Sequence, residues 1–316
     1  MKTPDTYLRY RIPLTVLVMV VLLLAGARLR PVSPDPLIQS QAAWDQFWVQ
    51  KTFPQGSYDL LLLGDSRLYR GVSPAIMART LTDTRIHNLG YSSGGLSPTL
   101  YQWATRLLDT TRHPGIVLAI SPWTLTETAA RQEQLTRELS RPPADRFHRR
   151  YIAPWLTPWT PLTPREVYDH LAGTVVPPAS LYYQTFFPDG WVASRLVPAD
   201  TARALEPYRL EYQTDRISPR LVAALGEQVQ AWTRQGIRVW AFRPPTTRSM
   251  QVLEDELAPY DEAAIRQLIT TSGGRWISLD PTRYQSYDGS HLDSASAVVL
   301  SADLAAAIRS ADAPLP

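Results

Sequence analysis

Cysteine is absent from the 316 residues. Disulfides, thiolate nucleophiles, iron–sulfur clusters and cysteine-ligated zinc are excluded with it. The compartment is not, because a chain without thiols suits reducing and oxidising surroundings alike. Histidine is scarce at five residues, so candidates for an imidazole base are few. There is no long basic run, zinc-finger spacing, RNA-recognition signature or basic heptad region, and no internal repeat. Nucleic-acid binding is therefore not expected, although the formal net charge is +3. Much of that excess is local. Removing residues 1–27 takes away Lys2, Arg9, Arg11 and Asp5 (three positive charges, one negative), which leaves +1 on the remainder.

What is present is globular in composition, with 44% hydrophobic and 19% charged residues, which excludes a wholly disordered chain. Ile12–Ala27 is an uncharged apolar run preceded by Lys2, Arg9 and Arg11 and followed by Arg28 and Arg30. As a helix at ~1.5 Å per residue it reaches ~24 Å, somewhat short of a ~30 Å hydrocarbon core unless Tyr10, Leu29 and snorkelling arginines extend it. A secretory signal cleaved after Ala25-Gly26-Ala27 is the alternative. Arginine immediately after that site is an atypical mature start, which favours a transmembrane anchor. Either way the basic N-terminus stays inside and the rest of the chain is expected outside the cytoplasm, on the periplasmic side.

The expected organisation is an anchor or signal at residues 1–30, a proline-bearing tether at 31–56, and one domain at 57–310. Within that domain, continuous apolar runs alternate with helical patterns. Strands are expected at Tyr58–Leu63, Arg85–Leu89, Gly115–Ile120, Ile237–Phe242 and Arg275–Leu279. Helices are expected at Ser73–Leu81, Thr99–Thr110, Pro219–Gln235, Asp261–Thr271 and Ser294–Arg309. Five strands alternating with helices imply an α/β fold, a three-layer α/β/α domain around a five-stranded parallel sheet. Residues 141–218 break the pattern with crowded prolines interleaved with Trp155, Trp159, Tyr182, Tyr183, Phe186, Phe187 and Trp191. Proline denies this stretch long helices and central strands. The aromatics point to a packed insertion at one sheet edge, suited to a lid or a substrate platform.

Two short motifs carry chemistry. Gly64-Asp65-Ser66-Arg67 follows the first strand, and Asp288-Gly289-Ser290-His291 follows the fifth and precedes the last helix. A serine hydroxyl needs a base within hydrogen-bond reach and a group that orients the base. Both motifs fall at the carboxyl ends of expected strands, where open parallel sheets bind ligands. The N–H groups at the start of the following helix face a developing oxyanion there. Ser66 is thus the candidate nucleophile, His291 the general base and Asp288 its orienting partner. His87, His113, His148 and His170 have no comparable acid–glycine spacing.

With these motifs the chain resembles the SGNH (GDSL-like) hydrolase family from about Tyr58 to Arg309, the insertion excluded. The resemblance implies a flavodoxin-like sheet and an oxyanion hole that includes the Ser66 N–H. It also implies a glycine N–H from Asn88-Leu89-Gly90-Tyr91-Ser92-Ser93-Gly94-Gly95, where Gly94 is the best match and Gly95 the next. The family's third block, Gly-x-Asn-Asp, is replaced by Ser121-Pro122-Trp123-Thr124. Loss of that asparagine donor costs a factor of about 10²–10³ in turnover unless another group compensates. Arg67, Arg70 and Arg243 are candidate compensators or anchors for an anionic substrate, and Arg67 and Arg243 are taken as substrate-binding. Relatives with an N-terminal anchor and a degenerate third block take part in O-acetylation of envelope polysaccharide alongside a membrane-bound acyltransferase. The expected activity is therefore ester hydrolysis or acyl transfer on acyl esters, acetyl above all, of exported polysaccharide, with no metal or cofactor implied. A non-catalytic glycan-binding or assembly subunit is the alternative.

Overall fold

Four consecutive leucines, Leu60–Leu63, form strand β1, and all four are buried. Side chains alternate across a strand, so such a run requires cover on both faces. Leu61 and Leu63 join Tyr101, Val229 and Trp232 on one face. Leu60 and Leu62 join Leu68, Met77, Leu300 and Leu304 on the other. The computed structural model describes residues 13–22, 44–156, 165, 168, 171–172 and 181–312.

The remaining strands are β2 (Ile86–Asn88), β3 (Gly115–Ala119), β4 (Leu181–Phe186), β5 (Val192–Val197), β6 (Arg238–Phe242) and β7 (Arg275–Trp276). The five-stranded sheet runs β2-β1-β3-β6-β7, and every pairing in it is parallel. This is the flavodoxin-like order, with a topological switch between β1 and β3. The helices Pro98–Leu107, Pro219–Arg234 and Glu262–Thr271 cover one face. Ser66–Gly71, Pro74–Met77 and Ser294–Asp312 cover the other. Ser97 and Ser218 start their helices in the same way: each hydroxyl accepts an N–H from the first turn, and proline follows at the first helical position.

The ends of the five parallel strands lie within three residues of expectation, and four of the ten coincide with it. β7 is the shortest, because after Ile277 N–H reaches the Ala241 carbonyl at 2.8 Å the chain leaves the sheet edge toward the Asp280-capped turn Pro281–Arg283. Inside the insertion, β4 and β5 form an antiparallel hairpin separate from the main sheet. Its tip closes on the outer edge of β2, where Asn88 N–H donates to the Asp189 carbonyl at 2.9 Å. Lys51, fully buried among the rings of Phe47, Tyr69 and Tyr91, donates from Nζ to the Gly190 carbonyl at 2.6 Å. An edge strand's unpaired groups are thus covered rather than left open. Residues 157–164, 166–167, 169–170 and 173–180 of the insertion, with Trp159 and His170, and residues 31–43 of the expected tether lie outside the described residues.

The anchor run is described only over Pro13–Leu22, an apolar helix exposed along its length. Among the described residues, the helix long and apolar enough to cross a membrane is instead Ser294–Ala311, with mean hydropathy 1.2. It is a core helix: Leu300, Leu304, Ala305 and Ile308 pack against the sheet.

Gly190 has φ +91, and a Cβ there would lie 2.2 Å from the Asn88 carbonyl oxygen. Gly190→Ala is expected to undock the hairpin tip and lower stability by at least about 1–3 kcal/mol, read as a lower denaturant midpoint. An unchanged midpoint would show that the tip contributes nothing.

Candidate active site

Asp65 N-caps the helix Ser66–Gly71, its Oδ1 accepting the Arg67 N–H at 2.9 Å and its Oδ2 the Ser121 hydroxyl at 3.2 Å. Burial raises the Asp65 carboxyl above its usual range, against the pull of Arg67. Ser66 therefore stands at the first helical position, where its own N–H is outside the intrahelical ladder. Across the crevice, the turn after Tyr287 is shaped around the Asp288 carboxylate. Its Oδ1 accepts the N–H groups of Ser290 and His291 at 2.9 and 2.7 Å, leaving Oδ2 for the imidazole. Gly289 supplies the positive φ of +98 that this turn needs.

The structure brings the three sequence candidates into one chain of hydrogen bonds. Ser66 Oγ lies 2.8 Å from His291 Nε2, and His291 Nδ1 lies 2.7 Å from Asp288 Oδ2. A ring proton on Nδ1, donated to the carboxylate, leaves Nε2 as acceptor for the serine proton. Burial and the nearby Arg70 charge lower the His291 pKa to about 4, against the opposing effect of Asp288. Burial alone would raise Asp288, but the hydrogen bond and charge of His291 hold it near 2. At neutral pH the pair is therefore a neutral imidazole on an ionised carboxylate, the protonation state of a base ready to accept.

Three expectations are corrected. The Gly94 N–H donates to the Tyr91 carbonyl at 3.2 Å, closing a turn in which Ser93 has φ +51, so that hydrogen is not offered to an oxyanion. Arg67 does not face substrate. It is 3% exposed, donates from Nε to Ser290 Oγ at 3.0 Å, and meets Glu254 at 2.6 Å beneath the Tyr208 ring. Arg243 meets the other oxygen of Glu254 at 3.0 Å and also pairs with Asp255 and Glu262. Both arginines belong to one buried Arg–Glu–Arg bridge under the site. The Trp123 indole, at the third-block position, donates to the Ser93 carbonyl at 3.3 Å and is likewise engaged.

Two further residues shape the site. Tyr287 stacks on the His291 ring at 5.9 Å and accepts a hydrogen bond from Arg70 at 3.0 Å. Ser290 ties the turn to Arg67 and Tyr208. Both lie beside or within the Asp288–His291 motif, and that adjacency is the signal that could have marked them. Nothing in the sequence marks Glu254.

No family model and no curated protein matches the chain. A solved structure of a candidate platelet activating factor from Streptococcus pneumonia is similar over 84% of this chain and 92% of that one, at 12% identity and a TM-score of 0.38.

Glu254 is fully buried between two cations. Glu254→Ala is expected to cost about 3–5 kcal/mol, since breaking a buried pair leaves the charge uncompensated. Chemical denaturation measures it, and a loss under 1 kcal/mol would remove the bridge from the account of the site.

Proposed function

We propose that the protein is a serine esterase or acyl-transfer enzyme, tethered to the membrane with its α/β domain outside the cytoplasm, acting on acyl esters of exported or envelope polysaccharide. The supporting observation is the Ser66–His291–Asp288 hydrogen-bond chain, 2.8 and 2.7 Å long, at the carboxyl end of β1. The SGNH-like placement of both motifs supports the reaction class. The apolar N-terminal run between basic residues supports the tether, and the resemblance to polysaccharide O-acetylation proteins supports the substrate and a membrane-bound acyltransferase as partner.

The steps follow from the geometry. Ser66 Oγ bonds to the ester carbonyl carbon while its proton passes to His291 Nε2, and the negative charge moves to the carbonyl oxygen, facing the Ser66 N–H. Collapse breaks the bond to the leaving alkoxide, which takes the proton from the imidazolium, and an acyl-serine remains. Water or a sugar hydroxyl then gives its proton to Nε2 and attacks the acyl carbon, and Ser66 recovers its proton on release. Asp288 holds the tautomer and stabilises the transient imidazolium. Hydrolase and transferase differ only in the second nucleophile.

A fluorophosphonate probe on the purified protein is expected to label Ser66, with labelling lost in Ser66→Ala and reduced on the order of 10⁴-fold or more in His291→Ala. An unlabelled folded protein that still binds polysaccharide would replace this reading with the non-catalytic one. If the probe labels, acetate release to water against transfer to an added oligosaccharide separates the two enzymes. The neutral imidazole is the active form, so the rate is full above its pKa and lost as pH falls through it. The acid limb of kcat/KM is expected near pH 4, and a limb near the ordinary ~6.5 of histidine would contradict the buried, Arg70-flanked setting of His291.

A further inference from the structure

Arg70 stands four residues after Ser66 on the same helix, so the two side chains share a face one turn apart. Its NH1 donates to the Tyr287 hydroxyl at 3.0 Å, and its guanidinium lies 5.3 and 5.9 Å from the Tyr69 and Tyr182 ring centres. These partners are all neutral. Among the described residues no carboxylate forms an ion pair with Arg70, and its buried Nε has no hydrogen-bond partner. Arg67 and Arg243 differ, since Glu254 serves both. A largely desolvated cation without a counterion is costly unless a ligand supplies the charge.

Arg70 also lines a cleft of about 430 Å³ beside the nucleophile helix, a size suited to a small-molecule or sugar site. Among the described residues its walls carry Arg137, Arg141 and Arg149 against one carboxylate, Glu138, with Trp48 on the aromatic side. Arg141 is held by Glu138 and Asp145, and Arg149 by Asp145. Arg137 donates only to the neutral Gln134 amide oxygen among the described residues. The charges left to a ligand are those of Arg70 and Arg137.

We propose that this cleft binds an acidic saccharide, with a uronate-type carboxylate on Arg70 and the esterified ring one turn away at Ser66. The proposal rests on the esterase or acyl-transfer reading for the ester at Ser66, but the anion site itself stands on Arg70 and the cleft. A carboxylate there meets a charged donor next to the reacting serine. Arg137, at the more exposed wall, lies where a following acidic residue of the chain would run.

The test uses the full-length Ser66→Ala protein, which binds without turning over. The probes are a galacturonate hexamer and its fully methyl-esterified counterpart, compared by calorimetry. The acidic hexamer is expected to bind at least about ten-fold more tightly, the scale of one charge-assisted hydrogen bond. Adding Arg70→Gln should erase the preference, Arg70→Lys should restore part of it, and Arg137→Gln should reduce it. Equal affinity for both hexamers, no binding of either, or a preference that survives Arg70→Gln in a protein with an unchanged melting profile would overturn the proposal. The two readings fail separately. Loss of probe labelling at Ser66 with the charge preference intact removes the enzyme and keeps the site; labelling without the preference removes the site alone.

Discussion

The architecture depends on β1 having sheet on both sides and a turn at its end that cannot spread. Its four leucines leave no polar face, so the strand is stable only at the centre of a parallel sheet, flanked by β2 and β3. The connections from β1 and β3 leave toward opposite faces, and this divergence opens the crevice at the carboxyl ends. Asp65 holds the exit of β1: one carboxylate oxygen caps the helix and the other takes the Ser121 hydroxyl at the exit of β3. A single buried side chain thus sets the spacing between the nucleophile turn and the neighbouring loop. The position of Ser66 follows from that spacing, and its hydroxyl then meets His291 Nε2 at 2.8 Å.

Charge is arranged in two tiers around this turn. Below it, Glu254 joins Arg67 and Arg243, and Arg67 reaches up to Ser290 inside the turn that carries Asp288 and His291. The shared carboxylate is fully buried and Arg67 nearly so, and such pairing yields little net stability, yet removing the carboxylate leaves the Arg67 charge unmet. Above it, the Arg70 guanidinium meets the side chains of Tyr69, Tyr182 and Tyr287 and acts on His291 through space. The first tier fixes the base; the second sets how readily the base holds a proton.

The parts legible in the sequence are those carried by local pattern. Apolar runs between turn residues placed all five parallel strands to within three residues, and helical patterning located the helices Pro98–Leu107 and Pro219–Arg234, although their serine caps came only with the structure. The two motifs led directly to Ser66, Asp288 and His291, because position at the end of a strand constrains where a side chain can point. Arg67, Arg243 and Gly94 were not legible, for a common reason. What each does depends on a partner that local sequence does not specify: Glu254 for the two arginines, and the Tyr91 carbonyl, through the backbone turn at Ser93, for the glycine. The hairpin β4–β5 was hidden by its proline-rich surroundings, since a two-stranded ribbon at a sheet edge escapes the restriction that proline places on central strands.

The engaged donors bear on how such a site could work. With the Gly94 N–H on Tyr91 and the Trp123 indole on Ser93, two of the donors considered for the oxyanion are engaged elsewhere, which leaves the Ser66 N–H and, of the two glycine candidates, Gly95. Each missing donor is worth a factor of about 10²–10³ on a simple ester, and a small neutral substrate has no other way to recover it. A larger substrate has one. Binding energy from groups remote from the reacting carbon is converted into orientation at that carbon when the remote contact and the nucleophile are held on one rigid element. Arg70 and Ser66 meet that condition, one turn apart on a helix whose first residue is fixed by Asp65. On the proposed esterase or acyl-transfer reading, a lean oxyanion hole and an arginine without an ion-pair partner beside it are two sides of one design, in which selectivity for an anchored substrate would replace general reactivity toward esters.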